Sequence, residues 1–258
     1  MASAITTDAI LLRSIAYGES DRVVTLLGRT TGRVSALARG ARKSLKRFGG
    51  GLGLGASGQA CLRERAGGGE LMGLESFEVN EGRIGLGGDL ARTAHASYAI
   101  ELVDRLCGPR HPEPAVYHWL DEFLSRVEAA GATAERLRVF ELGLLGRLGI
   151  GASFDCVACG RAEADLQEES TRWHPERGGV VCRACVRQGA LLTAETRRAL
   201  ARLSGLSLTE ADTTTLDRDL NGACRQAIRE LLAFHIPGPS SRWSSSTRWR
   251  PEGAGPPD

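Results

Sequence analysis

The first 80 residues contain short runs of apolar and β-branched residues that are broken by glycine. This pattern is typical of β-strands joined by tight turns. Gly18 marks the first turn, and the Gly67-Gly68-Gly69 segment marks the last. Five strands are predicted, at Ala9–Ile15, Arg22–Leu27, Arg33–Ala38, Gln59–Arg65 and Leu71–Val79. They suit a small closed barrel, and the pattern alone leaves open an OB-fold, which binds nucleic acid, and an SH3-like barrel.

After Gly88 the apolar positions recur at the spacing of an α-helix. Proline residues interrupt the pattern between the first two helices, and Thr133 stands where the third helix needs an N-cap. The four predicted helices are Leu90–Cys107, Val116–Ala130, one with its apolar stripe from Leu137 to Leu148, and one from Leu216 to Leu232. From residue 237 the chain is rich in Ser, Pro, Gly and Arg, which predicts a disordered tail.

The composition is that of a globular protein, with 42% hydrophobic and 25% charged residues. No run approaches the roughly 18 apolar residues of a membrane helix. The N-terminus has neither a basic leader nor an apolar run, so no secretion signal is expected. The predicted location is the cytoplasm, with no membrane partner.

The net charge of +2 is unevenly distributed, because the segment between residues 9 and 50 contains nine basic and only two acidic residues. Such a local excess favours a surface that binds a polyanion, and the alternative is a solvated surface. Five of the cations fall within nine residues: Arg39, Arg42, Lys43, Lys46 and Arg47. Their position between barrel strands favours DNA.

Two further residues complete the predicted DNA-binding set. Arg33 belongs to the same basic segment, and Phe48 follows the cations directly. An aromatic ring beside cations is how barrels hold single strands without reading sequence. Core packing is the alternative for Phe48, and it is slightly favoured.

Four of the seven cysteines form two close pairs, Cys156 with Cys159 and Cys182 with Cys185. Two residues between thiolates allow both sulfur atoms to reach one ion, and two such pairs make the tetrahedral shell that Zn²⁺ accepts. The intervening residues predict a β-hairpin that brings the pairs together. A redox dithiol, an iron–sulfur cluster and a catalytic zinc are the alternatives, and the paired arrangement with no open coordination position favours a structural zinc.

Eight segments recur along the chain in an order and spacing that are specific when taken together. They are Tyr17-Gly-Glu-Ser-Asp-Arg-Val-Val-Thr-Leu-Leu, Gly32-Arg33-Val34, Ala38-Arg39-Gly40-Ala41-Arg42, Arg47-Phe48-Gly49-Gly50, Tyr98-Ala-Ile-Glu-Leu-Val-Asp-Arg-Leu, Phe140-Glu-Leu-Gly-Leu-Leu-Gly-Arg-Leu-Gly-Ile, Cys156-Val-Ala-Cys159-Gly160 and Gly178-Gly179-Val-Val-Cys182-Arg-Ala-Cys185. With these segments the chain resembles the RecO family of bacterial recombination mediators, and the resemblance extends to about His235.

The resemblance implies an α+β multidomain fold: an N-terminal five-stranded OB-fold β-barrel, then an α-helical domain with an inserted Cys₄ zinc module. The expected bounds are 1–80 for the barrel, 81–153 and 187–236 for the helical domain, 154–186 for the zinc module, and 237–258 for the tail. By position, Arg39, Arg42, Lys43 and Arg47 correspond to DNA-contacting cations, and the four paired cysteines correspond to zinc ligands. The tail departs from the family, which usually continues there with a basic, apolar segment.

The resemblance also implies a function without bond chemistry. RecO proteins bind single- and double-stranded DNA, anneal complementary strands, and with RecR help load RecA onto DNA coated by single-strand-binding protein, whose C-terminal tail they bind. No phosphate-binding GxxxxGK[ST] loop or serine elbow is present in the sequence, in keeping with a protein that is not an enzyme. The alternatives are a zinc- or thiol-dependent enzyme and a helical protein–protein adaptor with the barrel as scaffold.

Overall fold

The computed structural model describes residues 4–48, 52–64 and 71–236. The predicted Gly67-Gly68-Gly69 turn, Gly49 and Gly50, and the tail 237–258 lie outside the described residues. The N-terminal part contains the five expected strands. Their bounds are β1 Ala4–Tyr17, β2 Asp21–Gly28, β3 Gly32–Ala38, β4 Ser57–Arg63 and β5 Leu71–Glu81. A short helix, α1 (Leu45–Phe48), follows β3.

The five strands form a closed barrel in the order β1-β2-β3-β5-β4. Strand β1 is longer than its apolar run predicts because it has two antiparallel partners. Ala4–Ile10 pairs with β4, and Ala9–Tyr17 pairs with β2, with an irregularity between Leu11 and Arg13. Strands β3 and β5 pair in parallel. This closed five-stranded arrangement is of the OB-fold type, which decides between the two barrels that the pattern allowed.

The helical part begins beyond a 3₁₀ turn at Ile84–Gly87. Thr133 caps the third long helix as expected, since its side chain accepts a hydrogen bond from the N–H of Arg136. The helices are α2 Leu90–Leu106, α3 Pro114–Ala130, α4 Ala134–Arg147, α5 Glu163–Leu166, α6 Ala194–Ser204 and α7 Arg218–His235. Helix α6 was not predicted from the sequence.

Two hydrophobic cores fill the barrel and the helical part. The barrel interior contains Leu11, Val24 and Ala36. On the outside of the same strands, Ile10 and Leu27 are fully buried in the core of the helical part. Through Ile10 and the Leu27 end of β2, the barrel therefore packs directly against the helical part.

The cysteine-containing segment is a small sheet between α4 and α6. Its strands are β6 Thr171–His174, β7 Gly179–Val181 and β8 Ala190–Leu192, in the order β7-β6-β8. Strands β6 and β7 form the expected hairpin, and β8 adds a third strand that the sequence did not suggest.

Among the helices of the described residues, none combines the length and the apolar character that a membrane span requires.

Candidate nucleic-acid interface and metal centre

The basic loop, residues 39–47, leaves the barrel at the end of β3 and is fixed to the β1–β2 turn. Gly40 takes a positive φ of 66°, and its N–H donates to Asp21 Oδ1 over 2.8 Å. The N–H of Arg42 donates to the Ser20 carbonyl over 3.0 Å. The Gly40 N–H, followed by the Ser20 hydroxyl and the Arg39 charge, keeps the pKa of Asp21 below its ordinary value although desolvation opposes the shift. Asp21, which the sequence could not assign, is therefore a support of the loop.

All five cations of the basic loop are exposed. Two of them also hold the loop together: Arg42 Nη1 donates to the Glu19 carbonyl over 3.3 Å, and Arg47 Nη2 donates to the Arg39 carbonyl over 2.6 Å. Among the described residues, the side chains of Lys43 and Lys46 have no hydrogen-bond or ion-pair partner. The two lysines are thus the cations most free to meet an anion from solution.

Phe48 lies inside the protein rather than on its surface. Its side chain is 2% exposed and belongs to the barrel core. The guanidinium of Arg47 covers the ring at 5.1 Å from its centroid. A base has no access to this ring, so the structure supports the packing alternative and not base stacking.

Arg33 is also placed differently from the rest of the basic segment. Its guanidinium donates to the Cys107 carbonyl over 2.9 Å and lies 3.2 Å from the Asp104 carboxylate. Both partners belong to the end of α2, so Arg33 joins the barrel to the helical part. This role could not be predicted from the sequence, because Asp104 is 71 residues away.

A cleft of about 400 Å³ opens beside the basic loop, between β3 and the β4–β5 pair. Three arginines line it, Arg39, Arg47 and Arg63, together with two carboxylates, Glu64 and Glu75. Arg63 is half exposed and lies 3.4 Å from Glu75. Arg63 was not recognised from the sequence, because it follows an ordinary strand pattern and lies outside the basic cluster.

The four paired cysteines meet at the base of the three-stranded sheet. Their sulfur atoms all lie within 4.8 Å of one another. The Cys159–Cys182 and Cys182–Cys185 sulfur atoms are separated by 3.9 and 3.5 Å. A tetrahedral shell with metal–sulfur bonds of about 2.3 Å has sulfur–sulfur edges of about 3.8 Å. The spacing therefore fits one metal ion.

The pKa values of two of the thiols also fit a metal site. Burial raises the pKa of Cys156, but N–H groups of Cys182, Cys159 and Ala158 donate to its sulfur atom and bring the pKa down to about 6. Hydrogen bonding with the sulfur atoms of Cys182 and Cys159 raises the pKa of Cys185 to about 12, and the charge of Cys156 contributes to this rise. A divalent cation offsets such repulsion between neighbouring thiolates.

A buried arginine fixes the cysteine module to the helical part. Arg197 of α6 is fully buried, and its guanidinium donates to the Gln167 carbonyl over 2.6 Å and to the Glu169 carbonyl. It also lies 3.2 Å from the Glu163 carboxylate. The ring nitrogens of the neighbouring His174 contact Glu176 Oε1 at 2.6 Å and the Gln188 carbonyl at 3.1 Å, so this histidine is engaged outside the cysteine cluster.

Family models match both parts of this structure in chain order. The model described as "Recombination protein O N terminal" matches residues 1–83, and "Recombination protein O C terminal" matches residues 87–243. The chain belongs to the RecO family.

Curated RecO-family proteins resemble this RecO-family chain along most of its length. A "DNA repair protein RecO" from Anaeromyxobacter sp. (strain Fw109-5) is 39% identical over 241 residues, which is 92% of this chain and 93% of the relative. The protein of the same name from Geobacter sulfurreducens is 40% identical over 202 residues, 78% of this chain and 81% of the relative. That from Myxococcus xanthus is 35% identical over 235 residues, 89% and 91% of the two chains. The resemblance stated from the sequence motifs is thereby confirmed.

Proposed function

We propose that this RecO-family chain is a non-enzymatic DNA-repair and recombination mediator in the bacterial cytoplasm, associated with the nucleoid. The exposed cations at one edge of the barrel carry this proposal, together with the family membership and the relatives' name, DNA repair protein. Phosphate contacts by such cations bind DNA independently of its sequence, so single- and double-stranded DNA are both ligands.

The proposed DNA-contacting residues are Arg39, Arg42, Lys43, Lys46 and Arg47. Arg33 and Phe48 are left out of this set because the first joins the barrel to α2 and the second packs in the barrel core. A cationic surface that binds two DNA strands reduces the electrostatic repulsion between their phosphates. Complementary strands held in this way can pair more readily, which is the proposed basis of annealing.

We propose the further steps on the basis of family membership. The chain works with RecR, binds the C-terminal tail of single-strand-binding protein, and so gives RecA access to strands that this protein coats. No step requires a covalent bond to form or break, so the proposed mechanism needs only competition between binding equilibria.

We also propose that Cys156, Cys159, Cys182 and Cys185 bind one structural Zn²⁺. The fit of the sulfur spacing to a tetrahedral shell supports this assignment. When bound, the ion supplies crosslinking and not reactivity, because four thiolates leave no coordination position for a substrate. The chain's own contribution is to hold the two cysteine pairs together through the β6–β7 hairpin and Arg197.

The test of DNA binding is a strand-annealing assay combined with binding at several salt concentrations. The wild-type chain is expected to show a log–log salt slope of about −3 to −5, which corresponds to four to six phosphate contacts. Replacing Arg42, Lys43, Lys46 and Arg47 by Gln is expected to flatten the slope by about 3 and to slow annealing. Replacing only Lys43 and Lys46 is expected to remove about 1.5 from the slope while leaving the bonds that shape the loop intact.

A matched control removes the same total charge elsewhere. Arg177, Arg187, Arg202 and Arg218 are all exposed and lie outside the barrel. Their replacement by Gln is expected to leave the slope and annealing close to wild type. If the loop variant behaves like the control, the barrel is a scaffold, and the adaptor function of the helical part becomes the better explanation.

A further inference from the structure

The two lysines of the basic loop are the only lysines in the whole sequence. Of the 33 basic residues in the chain, 31 are arginine, and the other two are Lys43 and Lys46. Both lysine side chains are exposed. Neither has a hydrogen-bond or ion-pair partner among the residues that the structure describes. The side-chain amines of the chain are therefore confined to the loop that is proposed to bind DNA.

Lysine and arginine differ in whether their charge can be removed. The ε-amine of lysine loses its positive charge when an acyl group is attached to it. The guanidinium of arginine stays protonated and gives no comparable nucleophile at neutral pH. Because every basic residue outside the loop is an arginine, acyl transfer can change side-chain charge only within the loop.

The arginines, and not the lysines, form the side-chain bonds that shape the loop. Arg42 Nη1 donates to the Glu19 carbonyl, and Arg47 Nη2 donates to the Arg39 carbonyl. The lysine side chains take part in neither bond. Attaching an acyl group to both lysines would lower the number of cations in the loop from five to three and leave these bonds in place.

Each lysine also has an arginine beside it in the sequence. Arg42 precedes Lys43, and Arg47 follows Lys46. A cluster of cations raises the local concentration of anions. An acyl phosphate is an anion, so the charge that suits a DNA backbone also brings this acyl donor to the two amines. DNA and the acyl donor therefore compete for one surface.

We propose that Lys43 and Lys46 are acetylation sites and that their acetylation by an acyl phosphate weakens DNA binding. In each transfer, the neutral ε-amine attacks the carbonyl carbon of the donor and forms a C–N bond. The C–O bond to the phosphate breaks, and inorganic phosphate leaves with the electron pair and takes up the proton of the amine. This inference rests on the proposed function and adds a means of regulating it.

Treatment of the full-length chain with acetyl phosphate tests the inference. Peptide mass spectrometry measures the modification of each lysine, and fluorescence anisotropy with a labelled oligo-dT measures binding at several salt concentrations. Acetylation of both lysines removes two phosphate contacts and is expected to flatten the log–log salt slope by about 1.5. At about 0.1 M salt this corresponds to a loss of affinity of roughly 30-fold, counted from 1 M salt.

The matched control is the double variant Lys43→Arg, Lys46→Arg, which keeps both charges and has no ε-amine. Its affinity is expected to be the same before and after treatment. The far-ultraviolet circular dichroism of the treated wild-type chain is expected to match that of the untreated chain, because the bonds that shape the loop remain. Excess DNA during the treatment is expected to slow acetylation of both lysines several-fold.

The inference and the proposed function fail in different ways. The inference is overturned if the wild-type chain with both lysines acetylated binds DNA as tightly as the untreated chain. It is also overturned if the two lysines resist acetyl phosphate, if DNA does not protect them, or if treatment weakens the control variant equally. If the untreated wild-type chain binds no DNA, the proposed function itself is wrong.

Discussion

Arg197 offers the sharpest test of how the cysteine module is held. Its guanidinium is fully buried and satisfies three acceptors on one segment, the Glu163 carboxylate and the carbonyls of Gln167 and Glu169. Arg197→Met keeps the unbranched apolar stem of the side chain but removes the guanidinium and with it every donor. The two carbonyls then lose a charged donor, whereas Glu163, with a 27% exposed side chain, partly recovers water.

The expected cost is about 3–5 kcal/mol of unfolding free energy, because breaking a buried charged network leaves polar groups without partners. Urea denaturation followed by far-ultraviolet circular dichroism measures this value. Arg198 is a matched control on the same helix: its side chain is 44% exposed and bonds to Glu168, which is 82% exposed. Arg198→Met is expected to leave stability unchanged within error, since water replaces exposed ion pairs at little cost.

Equal losses for the two variants would refute this reasoning, because burial would then have no part in the effect. A loss below about 1 kcal/mol for Arg197→Met would also refute it. In that case the carbonyls of the segment find other donors, and the module does not depend on α6 for its position.

Two further predictions concern the metal and the junction between the barrel and the helices. Elemental analysis of the purified chain is expected to find one Zn²⁺. The Cys182→Ser variant is expected to lose the ion, whereas Cys61→Ser, which lies outside the cluster, is expected to retain it. A stoichiometric iron content would contradict the zinc assignment. Gly32 has a φ of 70°, and a Cβ atom there would lie 2.2 Å from the His111 carbonyl oxygen. Gly32→Ala is therefore expected to lower the midpoint of thermal unfolding by several degrees, whereas an unchanged midpoint would show that residues 108–113 move away freely.

The sequence predicted most of the secondary structure because local patterns encode it. The apolar runs identified all five barrel strands, and the 3.6-residue spacing identified four of the five long helices. Helix α6 was not predicted, because its buried face includes Arg197 and Thr196 and these polar residues interrupt the apolar stripe. The full length of β1 was not predicted, because its first half is held by pairing with β4, more than 40 residues away in the sequence.

The cysteine cluster was the part of the site that the sequence predicted best. The spacing within each pair is a local constraint, so the clustering of the four thiols could be predicted from the order of residues alone. The structure added that the β6–β7 hairpin brings the pairs within 4.8 Å and that Arg197 holds them from α6.

What only the tertiary structure decided is which basic and aromatic residues face solvent. Arg33 and Arg42 look alike in the sequence, but one is bonded to the end of α2 and the other lies on an exposed loop. Phe48 and Tyr17 are both aromatic and both lie near cations in the sequence, but Phe48 is 2% exposed and Tyr17 is 60% exposed. Charge and residue type are properties of the sequence, whereas burial and partners arise from contacts between segments far apart along the chain, and those contacts exist only after folding.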